Sequence, residues 1–337
     1  MTETDRPLVT FALFAYNQEK YIREAVEGAF AQTYEPLEII LSDDCSSDRT
    51  FEIMQEMAAA YEGPHEVRVR QSEVNSGLVN HVCDVADMLT GKFVLLAAGD
   101  DISKPERTET IMTFWSDKYC ATLSKCDLID DSGAVLRTGW VADGDLNSRL
   151  PWLKSVSCSI FVYGASSAYR ADILKKLPRS SQKIFSEDTP LNLLIQIENL
   201  QVGFCESSLV YYRVHEKTIS NSLAISPTPS SILDHEKKRQ SQIENSRNLL
   251  VYLRDSIVIP TNSVDRVDEK MIDLEIKCHN LKLDWYKSTP FSRFKMTFNA
   301  IEGTQMWLAY RALGLRTYSF IKSVALRSGL QRSAPKG

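Results

Sequence analysis

The sequence predicts an α/β domain built on a mostly parallel sheet flanked by helices, followed by an α-helical C-terminal region. Three observations predict it. Short β-rich apolar runs alternate with segments of helical period over the first 115 residues or so. The apolar runs are near-continuous, as in strands buried on both faces, rather than alternating. Three of them stop abruptly in polar loops, Ala15-Tyr16-Asn17, Asp43-Asp44 and Asp100-Asp101. In open parallel sheets the ligand crevice lies outside the carboxyl ends of the strands. The pattern therefore brings two acid pairs to one crevice.

The elements follow in order. Leu8–Phe14 reads as a buried strand. The spacing of Tyr21, Ile22, Ala25, Val26, Ala29 and Phe30 predicts a helix over 18–32. Leu37–Leu41 is a second strand, and Ser47 or Asp48 caps a helix over 50–61. Val67–Val69 is strand-like, and Asn75-Ser76-Gly77 is a turn before a helix over 81–89. Lys92–Ala98 is a third buried strand, and Pro105 opens a helix that runs to Trp115. Around Pro227 and Pro229 lies a Ser/Thr/Pro linker, followed by long helices over 232–256 and 264–286. The expected division is a first domain over 1–222 and a helical region over 223–337.

Exclusions narrow the chemistry. A formal charge of −5 argues against a nucleic-acid binder by bulk charge. No two glycines are separated by a single residue, so no GxGxxG dinucleotide fingerprint exists. Gly139 and Gly144 have P-loop spacing, but Asp145 stands where Lys is required, and there is no HExxH. Seven scattered cysteines without a CxxC argue against a disulfide scaffold or zinc site and for a reducing cytosol. The polar start MTETDRP has no signal-peptide character, and no apolar run reaches the roughly 18–20 residues of a spanning helix. A cytoplasmic location is expected.

The acid pairs carry what remains. An isolated Asp-Asp is usually a solvated turn or a helix cap; two pairs, each following a buried strand, suit a hard cation. Mg²⁺ and Mn²⁺ take one or two carboxylates plus substrate phosphates. The segments Val9–Asn17, Ala31-Gln32-Thr33-Tyr34, Ile39–Thr50, Asn75-Ser76-Gly77, Gly99-Asp100-Asp101, Ser186-Glu187-Asp188 and Leu209–His215, in this order, resemble family 2 glycosyltransferases of the GT-A fold over about residues 7–222.

The resemblance implies an inverting, metal-dependent glycosyltransferase acting in bacterial cell-surface polysaccharide synthesis. It would use a nucleotide-diphosphate sugar donor, a glycan or lipid-linked acceptor and Mn²⁺ or Mg²⁺. Residue by residue, it implies that Asp44 meets the nucleotide base, with Ala15 and Tyr16 lining the same pocket. Asp100 would face the ribose or diphosphate, Asp101 the metal, and Asp188 would be the general base. His215 matches a metal or diphosphate contact, and Arg213 a diphosphate contact. Gly164 falls in a family segment near the acceptor side. Glu187 reads equally as a group that orients Asp188, a contact to the acceptor, or a cap. Two alternatives stay open, a catalytically inactive GT-A scaffold subunit and a sugar nucleotidyltransferase. The latter wants a Gly-rich, Lys-bearing loop that Ala15-Tyr16-Asn17-Gln18 does not supply.

Some positions depart from the family pattern. Val82-Cys83 stand where relatives carry Arg-Asn, so His81 becomes a candidate for the phosphate side, against the commoner core histidine. Cys45 reads as a small filler. Trp140 and Trp152 suit either a sugar platform or packing. From Trp285 to Gly337 nine Lys/Arg face one acid, interleaved with aromatics. That composition fits a basic amphipathic tail over 288–337 at the inner face of the cytoplasmic membrane, and equally a helix packed on the chain or across a homo-oligomer.

Overall fold

The computed structural model describes residues 6–141, 161–184, 186–215, 232–258 and 269–287. The chain divides into two compact units, Met1–Pro227 with Tyr252–Val267, and Thr228–Val251 with Asp268–Gly337.

The first unit is built on a nine-stranded mixed sheet. Strands β1 (Val9–Ala15), β2 (Leu37–Asp43), β3 (Glu66–Gln71) and β4 (Phe93–Ala98) form its parallel half, in the order β3-β2-β1-β4. β1 and β2 are buried at every position, as continuous apolar strands require. Glu38, near the start of β2, is 1% exposed. It is satisfied by the Thr10 and Thr90 hydroxyls and by Arg68 at 3.3 Å. The edge strand β3 is half-buried along its middle.

The other half is mixed. β6 (Tyr119–Ile129) pairs antiparallel with β7 (Val135–Trp140) and β8 (Ser167–Arg170), and parallel with β9 (Gln201–Arg213). β8 joins the halves through antiparallel pairing with β4, and the two-residue β5 (Ile102–Ser103) pairs with β9. The parallel reading of the sequence holds for β1–β4. It misses these later strands because residues such as Ser124, Lys125, Asp127, Glu206, Ser207 and Ser208 interrupt the apolar pattern on which it relied.

Helix α1 (Ile22–Phe30) starts four residues later than its periodicity suggests. Asn17 sits at φ +52°, and the Gln18 amide donates to the Thr50 hydroxyl at 2.7 Å, so the chain is held in a turn before the helix. Its buried face, Ile22, Ala25, Val26 and Ala29, packs into the core under β1 and β2. Burying Ile22 and Val26 contributes about 3–6 kcal/mol. Helix α2 (Thr50–Ala59) begins where Asp48 accepts from the Thr50 amide at 3.0 Å. Helices α3 (Leu78–Met88), α4 (Arg107–Phe114), α5 (Ala171–Leu174) and α6 (Asp188–Ile197) complete the layer elements. A π-helical turn, Leu253–Val258, belongs to this unit, and the Tyr252 hydroxyl donates to the Pro178 carbonyl at 2.7 Å.

The second unit contains most of α7 (Ile232–Tyr252) and all of α8 (Glu269–Lys287), where Arg247 donates to Asn280 at 3.1 Å. Among the described residues no helix is long and apolar enough to cross a membrane. The tail over 288–337, Trp152 and the linker prolines lie outside the described residues.

Candidate functional site

The strand register brings the three polar loops together. Ala15 pairs with Asp43, and Phe14 pairs with both Ser42 and Ala98. The Asp44 amide then donates to the Ala15 carbonyl and the Gly99 amide to the Phe14 carbonyl, each at 2.9 Å. Asp43 is wholly buried; it accepts from the Ser46 amide at 2.8 Å and from Gln71 at 3.0 Å. Asn17 in turn receives the Ser47 amide at 2.8 Å. The loops at the carboxyl ends of the parallel strands are therefore cross-linked, and Tyr16 stands out from them 46% exposed.

Asp44 is 3% exposed and turned onto the neighbouring loop. One carboxylate oxygen accepts from the Ser76 amide at 2.9 Å, and the other from the Gly77 amide at 3.0 Å. It anchors the Asn75-Ser76-Gly77 turn, and any ligand contact is confined to lone pairs the turn leaves open. Gly77 lies at φ +81°, and a Cβ there would meet Lys183 Cα and the Ile184 amide at 3.1 Å. Glycine is required both for the torsion and for this approach.

At the end of β4, Asp101 is 5% exposed. Its Oδ1 accepts from the Arg213 amide at 2.8 Å, while Oδ2 is buried without a hydrogen-bond partner. Burial, and then the charge of Asp100, push its carboxyl well above the ordinary range. Asp100 Oδ2 lies 3.1 Å from His215 Nε2, and the imidazole stacks on Tyr21 with centroids 5.0 Å apart. Among the described residues no group of three or more His, Cys, Asp or Glu is arranged to hold a metal. A buried orphan carboxylate oxygen next to a second carboxylate nevertheless fits a hard cation completed by phosphate oxygens.

Arg213 corrects one expectation. Its guanidinium is 1% exposed and spent inside the protein. Nε donates to the Asp100 carbonyl at 3.0 Å, and one terminal nitrogen to the Asp130 and Asp131 carbonyls at 3.2 Å. The other terminal nitrogen meets Glu24 at 2.6 Å. It is a strut between β4, the β6–β7 turn and α1, with no face left for a diphosphate. Arg213→Met should lower unfolding free energy by about 3 kcal/mol, since it removes a buried guanidinium that donates to three part-buried carbonyls and to Glu24. Urea denaturation checks this, and an unchanged midpoint contradicts the strut.

A third acid pair, Glu187-Asp188, lies against the 3-10 turn Gly164–Ser166. A Cβ at Gly164 would lie 1.8 Å from Glu187 Oε1, so only glycine admits that carboxyl. Ser166, on the same turn, hydrogen-bonds with Cys126, whose buried thiol also feels the Asp101 charge and is pushed up to about 12, chiefly by burial. Asp188, the first residue of α6, accepts from the Ser186 hydroxyl and from the Thr189 amide at 2.8 Å. Glu187 is 8% exposed, and burial next to Asp188 pushes its carboxyl up to about 8.

His81 is likewise corrected. It is 2% exposed beneath β2, edge-on to Phe14. Ser42 accepts from Arg70 at 2.7 Å and hydrogen-bonds His81 Nε2 at 2.6 Å. His81 is a core histidine rather than a phosphate contact. Burial, then Arg70, push its pKa down to about 4. A depressed histidine contributes stability fully above the unfolded value near 6.5 and loses it as pH falls toward the folded value. The fall in unfolding free energy from pH 7 to pH 4.5 should be about 2–3 kcal/mol smaller in His81→Leu than in the parent. Equal losses in urea titrations would discard this.

Trp140 stacks on Tyr212 at 5.6 Å and tilts against Tyr163 at 6.4 Å, so packing accounts for part of its surface. Cys45 is half-buried at φ +61°, with its thiol 3.5 Å from the Glu73 carbonyl. The sequence reading missed Arg107, which is wholly buried and donates to Ser103 at 2.9 Å and to the Leu96 carbonyl at 2.7 Å. Burial pushes its guanidinium down to about 10, and Asp101 is one of the charges opposing that. It also missed Glu24 and Tyr21 as partners of the strut. The positions of Arg107 two residues after Pro105 and of Glu24 in the first turn of α1 look like ordinary helix charges in sequence.

The family model for glycosyl transferase family 2 matches residues 10–177. An uncharacterized glycosyltransferase of Haemophilus influenzae is 26% identical over 73% of this chain and 75% of its own. A Bacillus subtilis protein, provisionally named the teichuronic acid biosynthesis glycosyltransferase TuaG, is 30% identical over 34% of this chain and 45% of its own. Among solved structures, Staphylococcus aureus TarS 1–349 in complex with UDP-GlcNAc aligns over 95% of this chain and 92% of its own, with a TM-score of 0.54 and 17% identity. The mannosyltransferase PcManGT of Pyrobaculum calidifontis, in complex with GDP-Man and Mn²⁺, aligns over 96% and 87%, with a TM-score of 0.51 and 14% identity. These structures share the GT-A fold with this chain.

Proposed function

The chain belongs to glycosyl transferase family 2 through residues 10–177 and is a glycosyltransferase; from that premise we propose that it moves a sugar, with inversion, from a nucleotide-diphosphate sugar to a hydroxyl of a glycan or lipid-linked acceptor in surface-polysaccharide assembly. The observation that carries the reading is Asp101 Oδ2, a buried carboxylate oxygen without a protein partner at the carboxyl end of the parallel sheet. Desolvating such a group is costly unless a ligand completes it.

In this reading the exposed Tyr16 ring and the Ala15 backbone receive the base, and Asp44 holds the turn that closes the pocket. Asp100 faces the ribose or diphosphate. Asp101 and Asp100, with His215, are the residues that would hold Mn²⁺ or Mg²⁺, which when bound supplies charge stabilisation for the departing diphosphate. Asp188 takes the proton of the acceptor hydroxyl as that oxygen attacks the anomeric carbon. The new C–O bond forms on the face opposite the leaving group. The old bond to the phosphate oxygen breaks, and its electron pair leaves with the nucleoside diphosphate. Gly164 and Glu187 lie on the acceptor side. The basic tail over 288–337 is the segment through which a lipid-linked acceptor's membrane would be met.

The test is a thermal-shift panel of UDP-GlcNAc, GDP-mannose and other nucleotide sugars, with and without Mn²⁺, followed by donor-hydrolysis assays. A true donor at one hundred times its Kd stabilises by about 2.7 kcal/mol. If no donor shifts the protein and none is hydrolysed, the chain is a scaffold subunit rather than the proposed transferase.

A further inference from the structure

We propose that Glu187 is a positioning residue that works uncharged: seated over Gly164, its neutral carboxyl leaves Asp188 as the negative group at the start of α6 that takes the acceptor's proton. The proposal rests on the reading of Asp188 as general base.

The first argument is steric. Glu187 Oε1 occupies the place where a Cβ of residue 164 would stand, at 1.8 Å, with its Cδ at 3.0 Å. The carboxyl is thus packed against backbone and is 8% exposed. The second is electrostatic. Asp188 is the only titratable residue of α6, which Glu187 precedes, and the turn Gly164–Ser166 carries none. From β8 the wholly buried Tyr169 feels the charges of Glu187 and Asp188, while Arg170 on that strand is paired with Asp172 at 2.6 Å. Among the described residues, the groups acting on Glu187 besides Asp188 are the backbone amides of 187 and 188. Two adjoining carboxyls in such a setting do not both ionise cheaply.

The surroundings decide which one keeps the proton. Asp188 accepts from the Ser186 hydroxyl and the Thr189 amide and sits in the first turn of a helix, where backbone dipoles favour negative charge. Those donors favour its ionised form. Glu187 lies deeper, and burial pushes its carboxyl up to about 8. At neutral pH the shared proton therefore resides on Glu187. Ionisation of Glu187 at higher pH sets a second charge beside Asp188 and disturbs the pair.

The experiment uses the full chain and three variants. Glu187→Ala should lower turnover at least about tenfold, and Glu187→Gln, neutral and of the same shape, should rescue most of it. The wild-type fall in kcat on the alkaline side, near pH 8, should be absent in Glu187→Gln. Gly164→Ala, which forces the carboxyl from its seat, should lower kcat more than it raises KM. Infrared difference spectra of wild type against Glu187→Gln at pH 7 should contain a protonated carboxylic-acid band that disappears by pH 10. A Glu187→Gln variant that is folded but no better than Glu187→Ala, or that keeps the alkaline fall, overturns the proposal. So does the absence of the infrared band, which needs no turnover. Failure of the transferase reading would instead show as no donor-dependent reaction in the wild type.

Discussion

Asp188→Asn should cut sugar transfer by about 10²–10⁴-fold while leaving donor affinity unchanged. The substitution is close to isosteric. The Asn side-chain oxygen can still accept from the Ser186 hydroxyl and the Thr189 amide, contacts that hold Asp188 at the start of α6. Basicity and charge are lost. In free-energy terms the loss is about 3–5 kcal/mol of transition-state stabilisation, far more than the fraction of a kcal/mol that a helix-terminal charge contributes to folding. Turnover and folding are thereby separated. Donor titration by calorimetry should overlay the wild type, and single-turnover transfer should collapse. A purified variant with full activity would remove Asp188 from the role of base.

The second large effect is expected at Asp101. Asp101→Asn retains an oxygen for the Arg213 amide, now 2.8 Å away, but turns the orphan Oδ2 position into an amide group or a weaker acceptor. Affinity for Mn²⁺ should fall by at least about 100-fold and turnover by a similar factor, in line with the several kcal/mol a charge-stabilising cation supplies. Metal-free stability should be maintained or raised, because a buried amide is cheaper to desolvate than a buried carboxylate. Mn²⁺ titration followed by paramagnetic resonance, together with calorimetric melting of the metal-free chain, reads both halves. A variant that binds Mn²⁺ as tightly as wild type shows that the cation is held elsewhere. Within the strut, Arg213→Met differs in kind: it should lower stability first, since Arg213 touches protein on every side.

The parallel half of the sheet was legible because its strands are buried on both faces, so composition alone marks Val9–Ala15, Leu37–Asp43 and Phe93–Ala98. Their order placed Asp43-Asp44 and Asp100-Asp101 at one crevice, and the register of Ala15 against Asp43 and of Phe14 against Ala98 realises that. The strands from Tyr119 onward were not legible as elements. β7 is exposed along nearly its whole length, and β6 contains buried polar positions, such as Asp127, whose partners come from distant segments. Asp127, for example, is satisfied by Lys104 at 2.8 Å and Ser208 at 2.6 Å.

Identity and order of residues marked the candidate groups: the acid pairs, Tyr16, the Glu187-Asp188 dipeptide and Gly164. Only the tertiary structure decided which candidates are buried and spent on protein partners. Arg213 and His81 look like ligand contacts along the chain, yet one is a buried strut and the other a neutral core histidine hydrogen-bonded to Ser42. Gly164 is expected on the acceptor side, and the place a Cβ would take there is filled by Glu187. The reason is physical. Residue type sets what a side chain can donate, accept or ionise to, and this is local. Burial and the partners within about 3 Å select among those options, and for Arg213, His81 and Glu187 those partners come from segments 20 to 190 residues away.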